Sequence, residues 1–166
     1  MKVAFHTLGC KVNHYETEAI KEAFVSRGAE ITGADETADV YVINTCTVTE
    51  AADRKTRQTV RKFISHNPEA FIAVVGCYAQ LRQEEAAAIE GVDLVLGTYE
   101  KFDVARYIDN LQKRTAPEIH SCESIDTGGF MASWSAGDRT RSFLKVQDGC
   151  DYHCSYCTVP LARGRS

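Results

Sequence analysis

Residues 39–46, DVYVINTC, decide how the first hundred residues of the chain are interpreted. A nearly continuous apolar run of this length, without polar alternation, is typical of a strand that helices cover on both faces. A cysteine follows it directly. The arrangement recurs on either side, since Cys10 follows the apolar run at 2–8 and Cys77 follows the run at 71–76. The sequence therefore predicts parallel strands with a thiol just beyond the end of each of three.

Amphipathic segments separate these runs, and a further apolar run follows them at 93–97. Apolar residues recur at helical spacing at 14–28, 48–65 and 101–113, and residues 80–90 form a fourth predicted helix that is rich in Ala, Glu and Gln and ends before Gly91. Strands that alternate with helices over short links predict an α/β fold, with an open, mainly parallel sheet and helices on both faces.

Composition then changes along the chain and indicates a domain organisation. We expect a first domain over 1–115, a connector over 116–138 that includes one short strand at EIHSCESI, and the beginning of a second domain over 139–166. The run SFLKVQ at 142–147 predicts the first strand of that second domain.

The bulk composition is that of an ordinary globular protein: 166 residues, 44% hydrophobic, 25% charged, with a net charge of −4. The N-terminus lacks the apolar core of a secretion signal, and no run approaches the roughly 18 apolar residues of a membrane span. We therefore expect a cytoplasmic protein without a membrane partner.

Thiols stay reduced in that compartment, so seven cysteines, an odd number, indicate metal binding or catalysis more than disulfides.

Cys10, Cys46 and Cys77 form the first cysteine set. The carboxyl ends of parallel strands share one edge of a sheet, where open α/β folds bind ligands, so these thiols are expected to converge. Each precedes a helix, whose N-terminal dipole favours the thiolate. Three thiolates suit an iron–sulfur cluster with one iron left open. The alternative is three small buried residues in tight strand–helix turns.

Cys150, Cys154 and Cys157 form the second cysteine set, with the spacing C-x3-C-x2-C. A loop of this spacing wraps three corners of a 4Fe-4S cluster and again leaves one iron open. The alternative is a zinc site, with His153 or a distant residue as its fourth ligand. The seventh cysteine, Cys122, lies in the connector and is expected to have no such role.

Three arginines, Arg54, Arg57 and Arg61, recur at helical spacing on the predicted helix at 48–65. They form either a solvated face or a surface that contacts the phosphates of an RNA.

Smaller motifs carry structural expectations. Asn13 with Glu16 is expected to cap the first helix, and residues 47–50, TVTE, match a capping box for the second. Arg163 and Arg165, just beyond the second cysteine set, are candidates for contacts with a cosubstrate or with RNA.

The cysteine segments together resemble the methylthiotransferases of the radical SAM superfamily. The stretches GCKVNHYET, VINTCTVTEAADRK and VVGCYAQ resemble the three cysteine segments of that family's N-terminal domain, and RSFLKVQDGCDYHCSYCTVPLARGRS resembles the start of its radical SAM barrel. The resemblance implies two 4Fe-4S clusters. The second cysteine set would hold the cluster that chelates S-adenosyl-L-methionine, and the first set would hold an auxiliary cluster that carries the inserted sulfur.

The resemblance also implies a substrate and partners. Lys11 and Val12, followed by Tyr-Glu-Thr, resemble the branch that methylthiolates C2 of N6-threonylcarbamoyladenosine 37 in tRNA. The branch that acts on isopentenyladenosine usually has Gln-Met at 11–12 and is the alternative. An electron donor such as flavodoxin or ferredoxin is implied. The family continues into a full barrel, so we expect this segment alone to be incomplete for turnover. A non-catalytic iron–sulfur module for electron transfer or redox sensing, and a zinc-stabilised RNA-binding domain, remain open.

Overall fold

The computed structural model describes residues 1–46, 50–108, 112–122, 130–134 and 143–166, with the backbone alone at 50–53. The strands are β1 (Lys2–Thr7), β2 (Glu30–Thr32), β3 (Val40–Thr45), β4 (Phe71–Gly76), β5 (Leu94–Leu96) and β6 (Glu118–His120). The helices are α1 (Lys11–Val25), α2 (Glu50–His66), α3 (Cys77–Leu81), α4 (Gln83–Ala87), α5 (Val104–Tyr107) and α6 (Val159–Arg163). A 3₁₀ turn at Glu100–Asp103 leads into α5.

The named strands form one sheet of six, in the order β2-β1-β3-β4-β5-β6, and every pair is parallel. The chain moves outward from β1 to β2 and then returns to place β3 on the other side of β1. The strand order therefore reverses between β1 and β3. Such a reversal leaves a crevice at the carboxyl ends of the strands, which is where open α/β sheets bind ligands.

Helices cover both faces of the sheet, as the sequence predicts. Along β3, Tyr41 and Ile43 pack with Phe63 of α2, while Val42 faces the opposite side and packs with Phe24 of α1. The rings of Tyr41 and Phe63 stack with centroids 4.2 Å apart. All six residues of β3 are buried, which explains why its sequence is uniformly apolar up to Asn44.

Several element boundaries differ from those predicted. Helix α1 begins at Lys11, three residues before the predicted start, and the predicted helix at 80–90 is two short helices that break at Arg82. Strand β2 was not predicted, because it is three residues long and only partly buried. Such a short strand depends on its pairing with β1 more than on its own apolar content.

The segment beyond β5 is also shorter in regular structure than predicted. Of the predicted helix at 101–113, the 3₁₀ turn and α5 are described, and residues 109–111 lie outside the described part of the chain. The short connector strand is β6, the sixth strand of the sheet. Where a strand was predicted at 142–147, the described residues show a single bridge between Trp134 and Leu144. Most of the capping box at 47–50 lies outside the described residues.

Among the helices of the described residues, none combines the length and the apolar content that crossing a bilayer requires.

Candidate metal centre at the carboxyl edge of the sheet

The first cysteine set lies beyond the carboxyl ends of three adjacent strands. Cys10 precedes α1, Cys46 follows β3, and Cys77 is the first residue of α3. The register pairs Thr45 with Gly76, so Cys46 and Cys77 leave the sheet side by side. The tertiary structure therefore gathers at one edge three residues that are 36 and 31 positions apart in the sequence.

The loops that carry Cys10 and Cys46 are packed against each other. Gly9 has φ +108°, and a Cβ at this position would come within 2.8 Å of the Cys46 sulfur. The Asn13 side chain donates hydrogen bonds to the carbonyls of Leu8 (3.0 Å) and Thr45 (2.8 Å), and its oxygen accepts one from the Cys10 thiol at 3.5 Å. Asn13 thus joins the two loops. The predicted cap by Asn13 and Glu16 is wrong, since the start of α1 has no side-chain cap.

We expect Gly9→Ala to displace Cys46 and to destabilise the fold. The left-handed backbone at Gly9 costs an L-residue about 1–2 kcal/mol, and the collision with Cys46 adds about 1–3 kcal/mol. Gly28→Ala is the matched control, because Gly28 also has a positive φ (+79°) but no heavy atom lies within 4 Å of the position that an alanine Cβ would take there. Urea unfolding measures the difference, and equal losses in both variants would contradict the close contact with Cys46.

A buried ion cluster lies directly beside this edge and is centred on Glu16. The Glu16 carboxylate accepts bonds from Lys101 (2.6 Å), Lys145 (3.0 Å) and both terminal nitrogens of Arg163 (2.7 and 2.9 Å). The side chains of Glu16, Lys101 and Lys145 are fully buried. Asp148 completes the cluster through Lys145 and Arg163. Three cations thus face two carboxylates in a site from which water is excluded.

Burial and pairing act in opposite directions on these groups. Burial alone would raise the pKa of Glu16, but Lys101, Arg163 and Lys145 together hold that pKa far below its ordinary value, so the carboxylate stays ionised. Burial also raises the pKa of the Cys77 thiol, although Arg163 and Lys101 oppose the shift. A thiol must lose its proton to bind a metal, so burial works against metal binding at Cys77 and the two cations favour it.

Arg163 connects this cluster to the first cysteine set. Its guanidinium donates to Asp148 at 2.6 Å and to the Asn13 oxygen at 2.9 Å, and that oxygen also accepts a hydrogen bond from the Cys10 thiol. Only 5% of Arg163 is exposed. This burial contradicts the predicted contact of Arg163 with RNA, whereas its contact with a cosubstrate stays a prediction. Sequence reasoning missed both Arg163 and Glu16 as partners, because 147 positions separate them and no local pattern joins them.

The second cysteine set lies on the loop that enters this edge. The Cys150 amide donates to the Gly164 carbonyl at 3.1 Å, and the Cys157 amide donates to the Cys154 carbonyl at 3.0 Å. Cys154 is exposed, whereas Cys150 and Cys157 are partly exposed. The loop is therefore held at Cys150 by its bond to Gly164, the residue that follows α6, while Cys154 faces solvent.

Both cysteine sets fit an iron–sulfur cluster in the chemistry of their donors. All six thiols are free, and each set supplies the three thiolates that leave one iron open. Within the described part of the chain, no three His, Cys, Asp or Glu side chains meet at metal-binding distance. The ligand cage is therefore not preformed, and the loops would have to close around the cluster.

Cys122 has a different environment from the six candidate ligands. Burial and a hydrogen bond with Glu100 raise the pKa of Cys122 to about 11, so it is a neutral thiol near pH 7. Its backbone bridges two elements, since its amide donates to Glu100 at 2.8 Å and its carbonyl accepts from Gln80 at 2.7 Å.

The three candidate RNA-contact residues lie along α2. Arg54 and Arg61 are exposed and Arg57 is half-buried. Arg57 and Arg61 line a surface cavity of about 640 Å³ together with Lys113. Lys113 bonds the carbonyls of Ala70 and Gly91, which precede β4 and β5. This cavity is therefore at the amino edge of the sheet, opposite the cysteines.

Several known proteins resemble this chain along nearly its whole length. The family model described as uncharacterized protein family UPF0004 matches residues 2–97. The threonylcarbamoyladenosine tRNA methylthiotransferase MtaB of Bacillus subtilis is 47% identical over 98% of this chain and 36% of its own length. The protein of the same name from Thermotoga maritima is 36% identical over the same shares. The tRNA-2-methylthio-N(6)-dimethylallyladenosine synthase of Methylacidiphilum infernorum is 34% identical over 98% of this chain and 36% of its own length.

The chain thus spans about a third of the length of these curated relatives. The family model covers the sheet through β5, including all three strands that lead to the first cysteine set. The relatives match along nearly the whole chain, including the second cysteine set. Because the family model matches more than half of the chain, the chain belongs to the family described as UPF0004, and the relatives it resembles are named as methylthiotransferases and a tRNA-2-methylthio-N(6)-dimethylallyladenosine synthase.

Proposed function

We propose that this chain is the N-terminal part of a radical SAM tRNA methylthiotransferase that modifies C2 of N6-threonylcarbamoyladenosine 37 in tRNA, in the cytoplasm. The observation that carries the proposal is the position of the first cysteine set at the sheet edge where the strand order reverses, beside the docked loop of the second set. The assignment of the substrate is supported by the relatives named MtaB, which are up to 47% identical to this chain, and by the Lys11-Val12 pair.

Each cysteine set has a distinct task in this proposal. Cys10, Cys46 and Cys77 would hold the auxiliary cluster, and Cys150, Cys154 and Cys157 would hold the cluster that binds S-adenosyl-L-methionine. When bound, these groups supply the electron and the sulfur that replacement of an unactivated ring C–H requires. The chain itself supplies placement: Asn13 fixes the loops of Cys10 and Cys46, and the ion cluster around Glu16 fixes the second loop against the sheet.

A chimera tests the function directly. The corresponding segment of the Bacillus subtilis relative is replaced by this chain, and the chimera is expressed in a strain that lacks its own enzyme. Mass spectrometry of digested tRNA should show the methylthio form of N6-threonylcarbamoyladenosine. The same chimera with Cys77→Ala is the inactive control. A stable chimera that modifies isopentenyladenosine instead, or neither nucleoside, contradicts the proposal.

The non-catalytic alternative predicts a different spectroscopic result. In an enzyme of this class, S-adenosyl-L-methionine binds the open iron held by the second cysteine set, and its addition should change the EPR spectrum of the reduced chimera. An electron carrier or redox sensor needs no such site. An unchanged spectrum at saturating cosubstrate would favour the electron-transfer alternative.

The arginines of α2 are proposed to contact tRNA phosphates away from the reacting base, because Arg57 and Arg61 lie toward the amino edge. Charge reversal of Arg54 and Arg61 in the chimera should weaken tRNA binding at least tenfold and flatten its dependence on salt, since fewer counterions are released. Arg106→Glu is the control, because Arg106 is also exposed but belongs to α5 on the other face of the sheet. Unchanged affinity and salt slope would assign the arginines to a solvated surface.

A further inference from the structure

Arg163 and the residue after it lie between the two cysteine sets. The Arg163 guanidinium donates at 2.9 Å to the Asn13 oxygen, which also accepts a hydrogen bond from the Cys10 thiol. The next residue, Gly164, accepts the Cys150 amide at 3.1 Å through its carbonyl. Three residues, Asn13, Arg163 and Gly164, therefore link Cys10 of the first set to Cys150 of the second.

The guanidinium of Arg163 is held rigidly in this position. The Glu16 carboxylate accepts hydrogen bonds from two guanidinium nitrogens, at 2.7 and 2.9 Å, in the forked geometry that suits an arginine–carboxylate pair. The backbone beside it is fixed as well, because Thr98 donates to the Ala162 carbonyl at 2.7 Å and the Tyr99 hydroxyl donates to the Arg163 carbonyl at 3.0 Å. Helix α6 thus rests on the carboxyl edge with Arg163 pointing into it.

The neighbouring lysines cannot take over this role. Lys101 and Lys145 bring charge to Glu16, and Lys145 also bonds Asp148, but neither ammonium has the planar fork that binds one carboxylate with two nitrogens, and neither bonds Asn13. Among the described members of the ion cluster, Arg163 is the cation that bonds Glu16, Asp148 and Asn13 together.

We propose that Arg163 is a positioning residue that sets the placement of the second cysteine set relative to the first, and that its positive charge faces the anionic centre the first set holds. The proposal rests on the proposed function, because it assigns Arg163 a task only if both sets bind clusters. A cluster held by three thiolates is anionic, and a fixed cation beside it favours the electron-rich state. The surplus cation of the buried ion cluster, three cations to two carboxylates, is consistent with such a neighbour.

The first test uses the metal-free chain with Arg163→Met and Arg163→Lys. Hydrogen exchange at 150–157 and at 8–13 is measured segment by segment with mass spectrometry. In Arg163→Met, exchange in both segments should rise at least tenfold, because the bond to the Asn13 oxygen and the ion pairs that dock α6 are lost. Tyr99→Phe is the control, because it weakens the docking of α6 without touching Asn13, and it should leave exchange at 8–13 near its original rate. Unchanged rates in Arg163→Met, or equal increases in the control, would overturn the linking role.

The second test measures the reduction potential of the first-set cluster, in a background where Cys150, Cys154 and Cys157 are alanine. Arg163→Met should make the potential more negative, because loss of a nearby positive charge disfavours the added electron. Arg163→Lys keeps the charge and should restore most of the potential while exchange at 150–157 stays fast. Equal potentials in Arg163→Met and the original chain would refute the electrostatic role. If neither the original chain nor any variant binds iron, the proposed function is refuted. The linking role of Arg163 is then decided by the measurements on the metal-free chain.

Discussion

Cys77→Ala is expected to halve the iron content of the anaerobically reconstituted chain, from about eight to about four atoms, with sulfide falling in parallel. Cys77 leaves the sheet beside Cys46, and two remaining thiolates do not hold a cubane cluster. The second cysteine set lies on a separate loop and should keep its own cluster. Colorimetric iron and sulfide assays on the purified protein provide the measurement.

Cys122→Ala is the matched control for this substitution. Cys122 is also a free thiol, but its raised pKa and its contacts with Glu100 and Gln80 place it outside both sets, so its removal should leave the iron content unchanged. Full iron content in Cys77→Ala would remove Cys77 from the ligands. Bound zinc without iron or sulfide in the original chain would favour the zinc-stabilised alternative.

Glu16→Ala is expected to destabilise the fold by about 3–5 kcal/mol, because it leaves Lys101, Lys145 and Arg163 buried without their shared carboxylate. This loss is a large part of the roughly 5–15 kcal/mol that holds a typical domain together. Urea unfolding monitored by circular dichroism gives the difference directly.

The same helix offers a control for Glu16→Ala. Glu18 also pairs with a lysine, Lys21, at 2.8 Å, but both side chains are partly exposed. Glu18→Ala should therefore cost about 0–1 kcal/mol. A loss from Glu16→Ala no larger than that from Glu18→Ala would show that the buried ion cluster does not hold the second loop on the sheet.

Local sequence patterns predicted the parts of the fold that depend on burial along one element. The apolar runs that end near Cys10, Cys46 and Cys77 are strands because both faces of the central sheet are covered. Element lengths were predicted less well, since the break at Arg82 and the pairing of β2 depend on neighbours that local periodicity does not encode.

The sequence by itself therefore determined the α/β class, the thiols at the strand ends and the spacing of the second cysteine set. Only the tertiary structure decided the strand order, with its reversal between β1 and β3, and the burial of Glu16 with Arg163. The physical reason is the sequence separation of the residues involved. A buried strand can be recognised from its own consecutive residues, whereas a buried charge is tolerated only where other segments of the chain supply its counter-charges. For Glu16, the counter-charges come from Lys101, Lys145 and Arg163, which are 85, 129 and 147 positions away in the sequence.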